Sequence, residues 1–434
     1  MDKINAVCWA IATILLVSSG LYFTIVLRFP QFSFKNMLNS LKPEKNDKKG
    51  ISPFETLTLS LAARIGVGSL AGIALGIYKG GVGVIFWLWL SALITLPNTL
   101  AESTLAVRYR ERDGKFYKGG PAYYINKGLG YKKLSILYAV IVSLCYLGGF
   151  LAIQSNTIAS SLKDYLDIPH IISGIIVAVI SYIIIIRGVK GIAKFTSYLV
   201  PVMGILYMLV ALLIIILNIE KVPNVFLTIV KEAFNFKAFG WGIISSMIIG
   251  VQRGIFSSES GIGTGAVASG TSDTKYPVKQ GYLQMLGVYF TTFVVCTATA
   301  IIILTADIDI NSFIEPNGIE ITNRALNYHL GNFGNIVLLL AILAFSFSTV
   351  ISGYYYGESN IKYLYNKITD KQIFILKIFV VVLLLYGAIA KSSFLWNIVD
   401  IGVALLAIIN IFALISLRRD VKEECDEVEL RKND

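Results

Sequence analysis

The sequence predicts an all-α polytopic membrane protein of about eleven transmembrane helices. One helix stands at the front, and two five-helix repeats of opposite orientation follow, each opening on a broken helix. Three observations carry this. Over 434 residues, 55% are hydrophobic and mean hydropathy is +0.69, whereas 15% are charged against roughly 25% in soluble domains. Apolar stretches long enough to cross a bilayer, about 20 residues each, recur along the chain. The second and seventh of them are interrupted by glycine-rich runs.

The spans lie near 4–27, 53–81, 82–107, 134–158, 169–186, 196–218, 239–268, 281–305, 333–357, 372–390 and 393–417. The first is too long for the apolar part of a signal peptide. Arg28-Phe29-Pro30 follows it in place of a small-residue cleavage site, so it reads as a retained helix. The expected organisation is a front helix (1–28), a basic loop (29–50), a first repeat (51–218), a second repeat (219–417) and a charged tail (418–434). With the N-terminus outside and the C-terminus in the cytoplasm, 28 Lys and Arg fall in inside loops and 8 outside, with Arg64 and Arg253 within spans. The external loop after span 8 is acidic, with Asp307, Asp309, Glu315 and Glu320. Basic residues accumulate on the cytoplasmic side of membrane proteins, so the net charge of +11 follows topology and does not point to nucleic acid.

Span 2 starts at Ser52-Pro53-Phe54-Glu55, a capping box with proline at the first helical position. Gly66-Val67-Gly68 comes about 14 residues after the cap, or about 20 Å along a helix axis, close to the bilayer midplane. Lipid does not tolerate freed backbone N–H and C=O groups or an unpaired charge such as Arg64 unless protein or water surrounds them. Span 7 carries Gly250-Val251-Gln252-Arg253-Gly254 and then Gly261-Ile262-Gly263-Thr264-Gly265. Ten spans after the front helix divide as five plus five, and an odd repeat length inverts the second copy. Matched breaks in the two halves are the sequence pointer to a secondary transporter with a midplane site. Glycines that merely let helices approach closely are the bland alternative.

Candidate ligands follow from that geometry. Backbone carbonyls freed near Arg64 to Gly66, with the hydroxyls of Ser348, Thr349 and Ser352 in span 9, offer the neutral oxygens that suit sodium. Ser348 and Ser352 are four apart and share a helix face, although such hydroxyls often bond back to their own helix. Gln154-Ser155-Asn156-Thr157 groups amides and hydroxyls fit for an amino or carboxylate group. Arg64, Glu102, Arg253, Glu259 and Asp400 are the ionisable groups in or near the membrane. Such charges persist mainly when paired, which makes them ion-pair or gate candidates, with Glu259, Glu102 or Asp400 as partners for Arg64.

Catalytic signatures are missing. There is no GxxxxGK[ST], so the chain does not itself energise transport with ATP, and there is no nucleophile elbow or HExxH. The chain therefore reads as no enzyme and as needing no cofactor beyond a coupling ion. Cys8, Cys145, Cys296 and Cys425 are scattered without metal-ligand spacing. His170 and His329 sit at expected helix ends and read as solvated.

Leu61-Ala62-Ala63-Arg64-Ile65-Gly66-Val67-Gly68-Ser69-Leu70-Ala71-Gly72, then Gly80-Gly81 and Ile85-Phe86-Trp87, resembles the alanine/glycine:cation symporter family, also called sodium:alanine symporters. So do Gly119-Gly120-Pro121-Ala122-Tyr123-Tyr124-Ile125, Gln154-Ser155-Asn156, Arg253-Gly254-Ile255-Phe256-Ser257, Pro277-Val278-Lys279-Gln280-Gly281 and Tyr355-Tyr356-Gly357-Glu358. The match runs from about Phe29 to Asp400. The resemblance implies a LeuT-like fold behind one extra helix, in the cell membrane. It also implies sodium-coupled, sometimes proton-coupled, uptake of a small neutral amino acid, with no obligate protein partner evident. By position it places substrate against Gly66, Gly68, Ser69, Gln154, Phe256, Thr349 and Gly353, and the ion against Ser348, Thr349 or Ser352. The chain departs from the family at Ser69 (usually asparagine), at Gly353 (expected tryptophan) and at Ser257-Ser258-Glu259-Ser260-Gly261 (usually Ser-Asn-Glu-Ala-Gly). Losing an indole could open well over 100 Å² of wall, which suggests a pocket for something larger than alanine, such as glutamine. A channel would want a continuous polar stripe or charged ring. A LeuT-type carrier of another solute is the remaining alternative.

Overall fold

The structure is a computed structural model describing residues 2–42, 50–235, 242–314, 316, 318–365, 368–390 and 392–433. The start of span 7 and several charges counted above (Lys45, Lys48, Lys49, Lys237, Glu315, Lys367 and Lys391) lie outside the described residues. In chain order the helices are α1 (Asp2–Val26), α2 (Phe34–Ser40), α3 (Pro53–Arg64), α4 (Ala71–Gly80), α5 (Val84–Arg108), α6 (Pro121–Leu129), α7 (Lys132–Ser143), α8 (Leu151–Leu166), α9 (His170–Ile185) and α10 (Gly188–Leu217). Then come α11 (Val222–Ala233), α12 (Gly242–Ser258), α13 (Thr264–Ser269), α14 (Pro277–Val288), α15 (Thr297–Thr305), α16 (Ile319–Leu330), α17 (Asn332–Leu364), α18 (Asp370–Ile389), α19 (Ser392–Ser416) and α20 (Arg418–Asn433). One small departure from an all-α chain is a ribbon of β1 (Glu111–Asp113) and β2 (Phe116–Lys118), paired antiparallel with Glu111 opposite Lys118.

Eight described helical stretches are long and apolar enough to cross a membrane, from the front helix to α19. Two of them are continuous runs, Lys132–Leu166 and Pro277–Thr305. Each contains a wide π turn that periodicity does not reveal, at Leu144–Phe150 and Tyr289–Cys296. Such turns cluster at functional sites because they re-aim side chains without ending the helix. Large apolar side chains on α9, α10 and α18, including Val179, Ile180, Leu206, Leu209, Leu213 and Phe379, are exposed. A ring of that extent on the outside of a helical bundle belongs against lipid.

Local chemistry explains the helix starts. Glu55 N donates to Ser52 Oγ at 3.1 Å and Ser52 N to Glu55 Oε2 at 2.9 Å, closing the expected capping box before α3. A second box, Thr369 with Gln372, opens α18. Two large apolar cores result, with a smaller third of Met37, Leu96, Leu100, Val278, Met285 and Val288 between α2, α5 and α14. One joins α1, α7, α8, α17, α18 and α19; the other joins α3, α4, α10, α15 and α16.

Two expectations need correction. Gly250 and Gly254 do not break span 7, because α12 runs through both. Their missing side chains let α12 lie on α5, where a Cβ at Gly250 would come within 2.5 Å of Trp87 Cβ and 2.7 Å of the Val84 carbonyl. His329 is not simply solvated: it is half-buried, its Nε2 3.0 Å from the Ile302 carbonyl and 3.2 Å from Thr305 Oγ1 and its Nδ1 3.3 Å from Asn218 Nδ2. The tail is helical, and it docks. Arg108 in the last turn of α5 pairs with Glu423 at 3.1 Å, Glu424 at 3.3 Å and Asp420 at 3.8 Å on α20.

Candidate functional site

The first break follows from α3 stopping at Arg64. Gly66 is extended (φ −114, ψ −159), Val67–Ser69 forms one tight turn, and α4 begins at Ala71. An L-residue could adopt that φ, so glycine is needed here for space. A Cβ on Gly66 would stand 2.6 Å from Thr349 Oγ1 and 3.5 Å from Gln154 Nε2. Gly66, Gln154 and Thr349 therefore meet, from α3/α4, α8 and α17. Nothing lies within 4 Å of the corresponding position at Gly68.

The second break runs from Glu259 to Gly263, between α12 and α13. Glu259 itself takes φ 52, Gly261 φ 81 and Gly263 φ 88, backbone that costs a non-glycine residue roughly 1–2 kcal/mol. Gly263 also packs where a Cβ would come within 2.6 Å of the Tyr138 hydroxyl. Of the two interruptions read in span 7, the one at 261–265 is a true break.

Four oxygens converge beside the first break. Thr349 Oγ1 lies 2.9 Å from both the Ala62 and Phe345 carbonyls, and Ser348 Oγ lies 3.4 Å from Ala62 O and 2.9 Å from Phe345 O. The Phe345 contacts are ordinary back-bonds within α17; the Ala62 carbonyl, in the last turn of α3, is the added oxygen, and neutral oxygens gathered from two helices are what a hard monovalent cation seeks. The carbonyl concerned belongs to Ala62, two residues before the expected Arg64–Gly66. The Arg64 carbonyl faces Ser69 Oγ at 3.5 Å instead. Ser352 is not part of this group; its hydroxyl bonds back to Ser348 O at 3.0 Å and Thr349 O at 3.3 Å, as membrane hydroxyls commonly do.

The other candidates separate in the same way. Within the 154–157 run only Gln154 faces the break, and its Oε1 is buried without a hydrogen-bond partner. Ser155 donates to Leu384 O and Asn156 to Gly387 O and Ala390 O, fastening α8 to α18, while Thr157 returns to Ile153 O. Phe256 packs with Trp9 at 5.6 Å and Trp396 at 6.5 Å between ring centroids, under the Arg253 guanidinium. Ser69 and Ser257 both bond the Cys296 thiol, which the second π turn presents together with Thr292. A Cβ at Gly353 would meet Leu151 at 3.0 Å and Tyr146 at 3.3 Å, so side chains of the first π turn and α8 stand where the lost indole would begin.

The charges sort into two groups. Arg64 Nε lies 3.8 Å from Glu259 Oε2, and Arg64 also donates to Gln284 O. Glu102 is near this pair, held by Asn410 Nδ2 at 2.9 Å. Asp400 does not partner Arg64; it faces Arg253 and bonds Asn5 of the front helix. Tyr146, whose hydroxyl donates to Glu259 Oε1 at 2.6 Å, and Asn410 were missed by sequence reasoning. Asn410 had a signal: it is the one amide within the apolar run Val403 to Leu414.

The sodium:alanine symporter family model matches residues 1–433 of the chain. The chain belongs to that family. Relatives of this symporter chain include the amino-acid carrier protein AlsT of Bacillus subtilis (strain 168), 38% identical over 408 residues, covering 94% of this chain and 86% of the relative. The probable sodium/glutamine symporter GlnT of the same organism is 38% identical over 424 residues, covering 96% and 87%. Among solved structures, MhsT in complex with L-phenylalanine superimposes with a TM-score of 0.64 at 12% identity, over 88% of this chain and 93% of that one. The fold of this membrane symporter is LeuT-like.

Proposed function

We propose that the protein couples inward flow of sodium to uptake of a small neutral amino acid by alternating access. The observation that carries this is the convergence of Ser348 Oγ, Thr349 Oγ1 and the Ala62 and Phe345 carbonyls beside the first break. The negative end of α3 and the positive end of α4 both terminate at that break. A helix C-terminus favours a cation and an N-terminus an anion, so one broken helix can hold sodium on one side and a carboxylate on the other. The amino acid sits against Gly66, Gln154 and Thr349, with Gln154 Oε1 free to accept from its ammonium group. Ser69 borders it, Gly68 leaves room for the cargo, and Phe256 covers it from outside. Arg64 with Glu259 and Arg253 with Asp400 act as the inner and outer ion-pair latches. The repeats are 51–218 and 219–417, with the front helix 1–28, the loop 29–50 and the tail 418–434 as additions. The N-terminus faces outward and the basic loops and tail face the cytoplasm.

Alanine and glutamine are cargo candidates in keeping with the names carried by the family and by the GlnT relative, and glycine is a third from the resemblance. The test is uptake of each labelled amino acid into proteoliposomes under a sodium, lithium or proton gradient. Sodium-driven accumulation of at least one is expected, with Thr349→Val raising the sodium concentration for half-maximal uptake about tenfold, the loss of roughly 1.4 kcal/mol. No accumulation of any of them above protein-free vesicles overturns the reading.

A further inference from the structure

Beside the two breaks lies a buried charge cluster that the sodium and substrate sites do not use. Glu102, on α5, is fully buried. Its Oε2 accepts from Asn410 Nδ2, while its Oε1 is shut away from solvent and accepts no hydrogen bond. Asn410 is itself fixed, donating to Gly261 O at 3.0 Å and accepting from the Tyr124 hydroxyl. Around Glu102 stand Arg64 from α3, Glu259 and the Gly263 amide from the second break, Tyr124 from α6, Tyr138 from α7 and Tyr356 from α17. The charged members are two carboxyls and one guanidinium. Arg64 sits by Glu259, and Tyr146 completes that pair with its hydroxyl. One negative charge is left over, and Glu102 is where it would fall.

An uncompensated charge buried in a membrane protein is strongly disfavoured and persists only with a partner. Sodium is a poor partner here, because Glu102 offers one free oxygen and the Arg64 guanidinium repels a second cation. A proton needs one oxygen only and removes the charge outright. Glu102 Oε1 supplies that oxygen, and Asn410 orients the carboxyl through the other.

We propose that Glu102 is a proton-binding site, separate from the oxygen cluster at Ala62 and Thr349, loaded in the arrangement seen here and emptied when the second break moves away. Asn410 joins Glu102 to the Gly261 carbonyl of that break, so the same displacement that opens the break loosens the carboxyl. The exchange during transport rests on the symport reading above; the site itself does not.

Infrared spectroscopy of the purified protein tests the site without any transport. A neutral carboxyl has a C=O stretch above the amide band, and a carboxylate does not. The protein near neutral pH should show this band, Glu102→Gln should lose it and Glu259→Gln should keep it. Absence of the band, or its survival in Glu102→Gln, overturns the proposal. If Glu102→Gln does not fold, Asn410→Leu decides the same point, since loss of the Asn410 hydrogen bond must shift a band that belongs to Glu102; an unshifted band overturns the proposal. The linked measurement is sodium-driven uptake from about pH 6 to about pH 8.5 at a fixed sodium gradient. One exchanging proton changes uptake by up to about tenfold per pH unit, and Glu102→Gln should flatten the profile. Equal pH profiles in both proteins overturn the exchange. Failure of both proteins to transport removes the symport reading and leaves the infrared result to decide the site.

Discussion

Gly66→Ala separates a built cation site from a merely flexible break. The added methyl would stand 2.6 Å from Thr349 Oγ1, whereas comfortable contacts begin at about 3.5 Å. Either the hydroxyl or the break must yield by most of an ångström. The hydroxyl cannot yield freely, because it is held at 2.9 Å from both the Ala62 and Phe345 carbonyls. Backbone strain adds little, since φ −114 at Gly66 is open to alanine. The cost is therefore that of displacing one oxygen from the cluster, about 1–2 kcal/mol for hydrogen bonds lost or bent. Carried into sodium binding, that is about a five- to thirtyfold loss of affinity. The assay is the sodium dependence of uptake in proteoliposomes, paired with the sodium-induced rise in melting temperature, which reports binding to the folded state by mass action. Gly68→Ala is the control in the melting measurement, made with sodium and no amino acid, because nothing lies within 4 Å of its Cβ position. Expected is a sodium midpoint raised at least fivefold in Gly66→Ala and little changed in Gly68→Ala. Equal midpoints in Gly66→Ala and the parent protein would refute the reasoning.

Two further outcomes concern parts of the fold outside the bilayer. Burial holds the His329 imidazole below its ordinary value, against the pull of the Ile302 carbonyl and with help from the charge of Lys221. The unfolded chain then takes up the proton first, so the associated stability is complete above about pH 6.5 and is lost as the pH falls below it. Melting temperature should fall more between about pH 7 and about pH 5.5 in the parent than in His329→Gln, and parallel curves would count against this. Arg108→Ala removes three partly exposed ion pairs to α20, which are worth roughly 1 kcal/mol in all after solvent screening. Amide exchange over residues 418–427 should quicken about fivefold, and high salt should mimic the change in the parent; unchanged exchange would show that packing alone holds the helix.

Much of this architecture is legible because membrane insertion writes long-range structure into local composition. The capping box at Ser52, the glycine run at Gly66 and the hydroxyls of span 9 each act through their own segment, and patterns along one segment reach them. What stayed hidden depends on pairings across the bundle. Gly250-Val251-Gln252-Arg253-Gly254 and Gly261-Ile262-Gly263 look alike as strings, yet α5 crosses close over the first and keeps it helical, while positive φ at Gly261 and Gly263 breaks the second. Ser348 and Ser352 are equivalent by spacing, but the neighbouring Ala62 carbonyl faces the Ser348–Thr349 edge and leaves Ser352 to its own helix. Gly353 illustrates the same limit from the other side. A missing indole predicts a cavity only if the facing residues stay put, and here the wide turn at Leu144–Phe150 and the start of α8 bring Tyr146 and Leu151 to where the indole would begin. That same turn aims the Tyr146 hydroxyl at Glu259. One local change in helical pitch thus fills the space beside α17 and completes the Arg64–Glu259 pair, leaving Glu102 as the carboxyl without a cation.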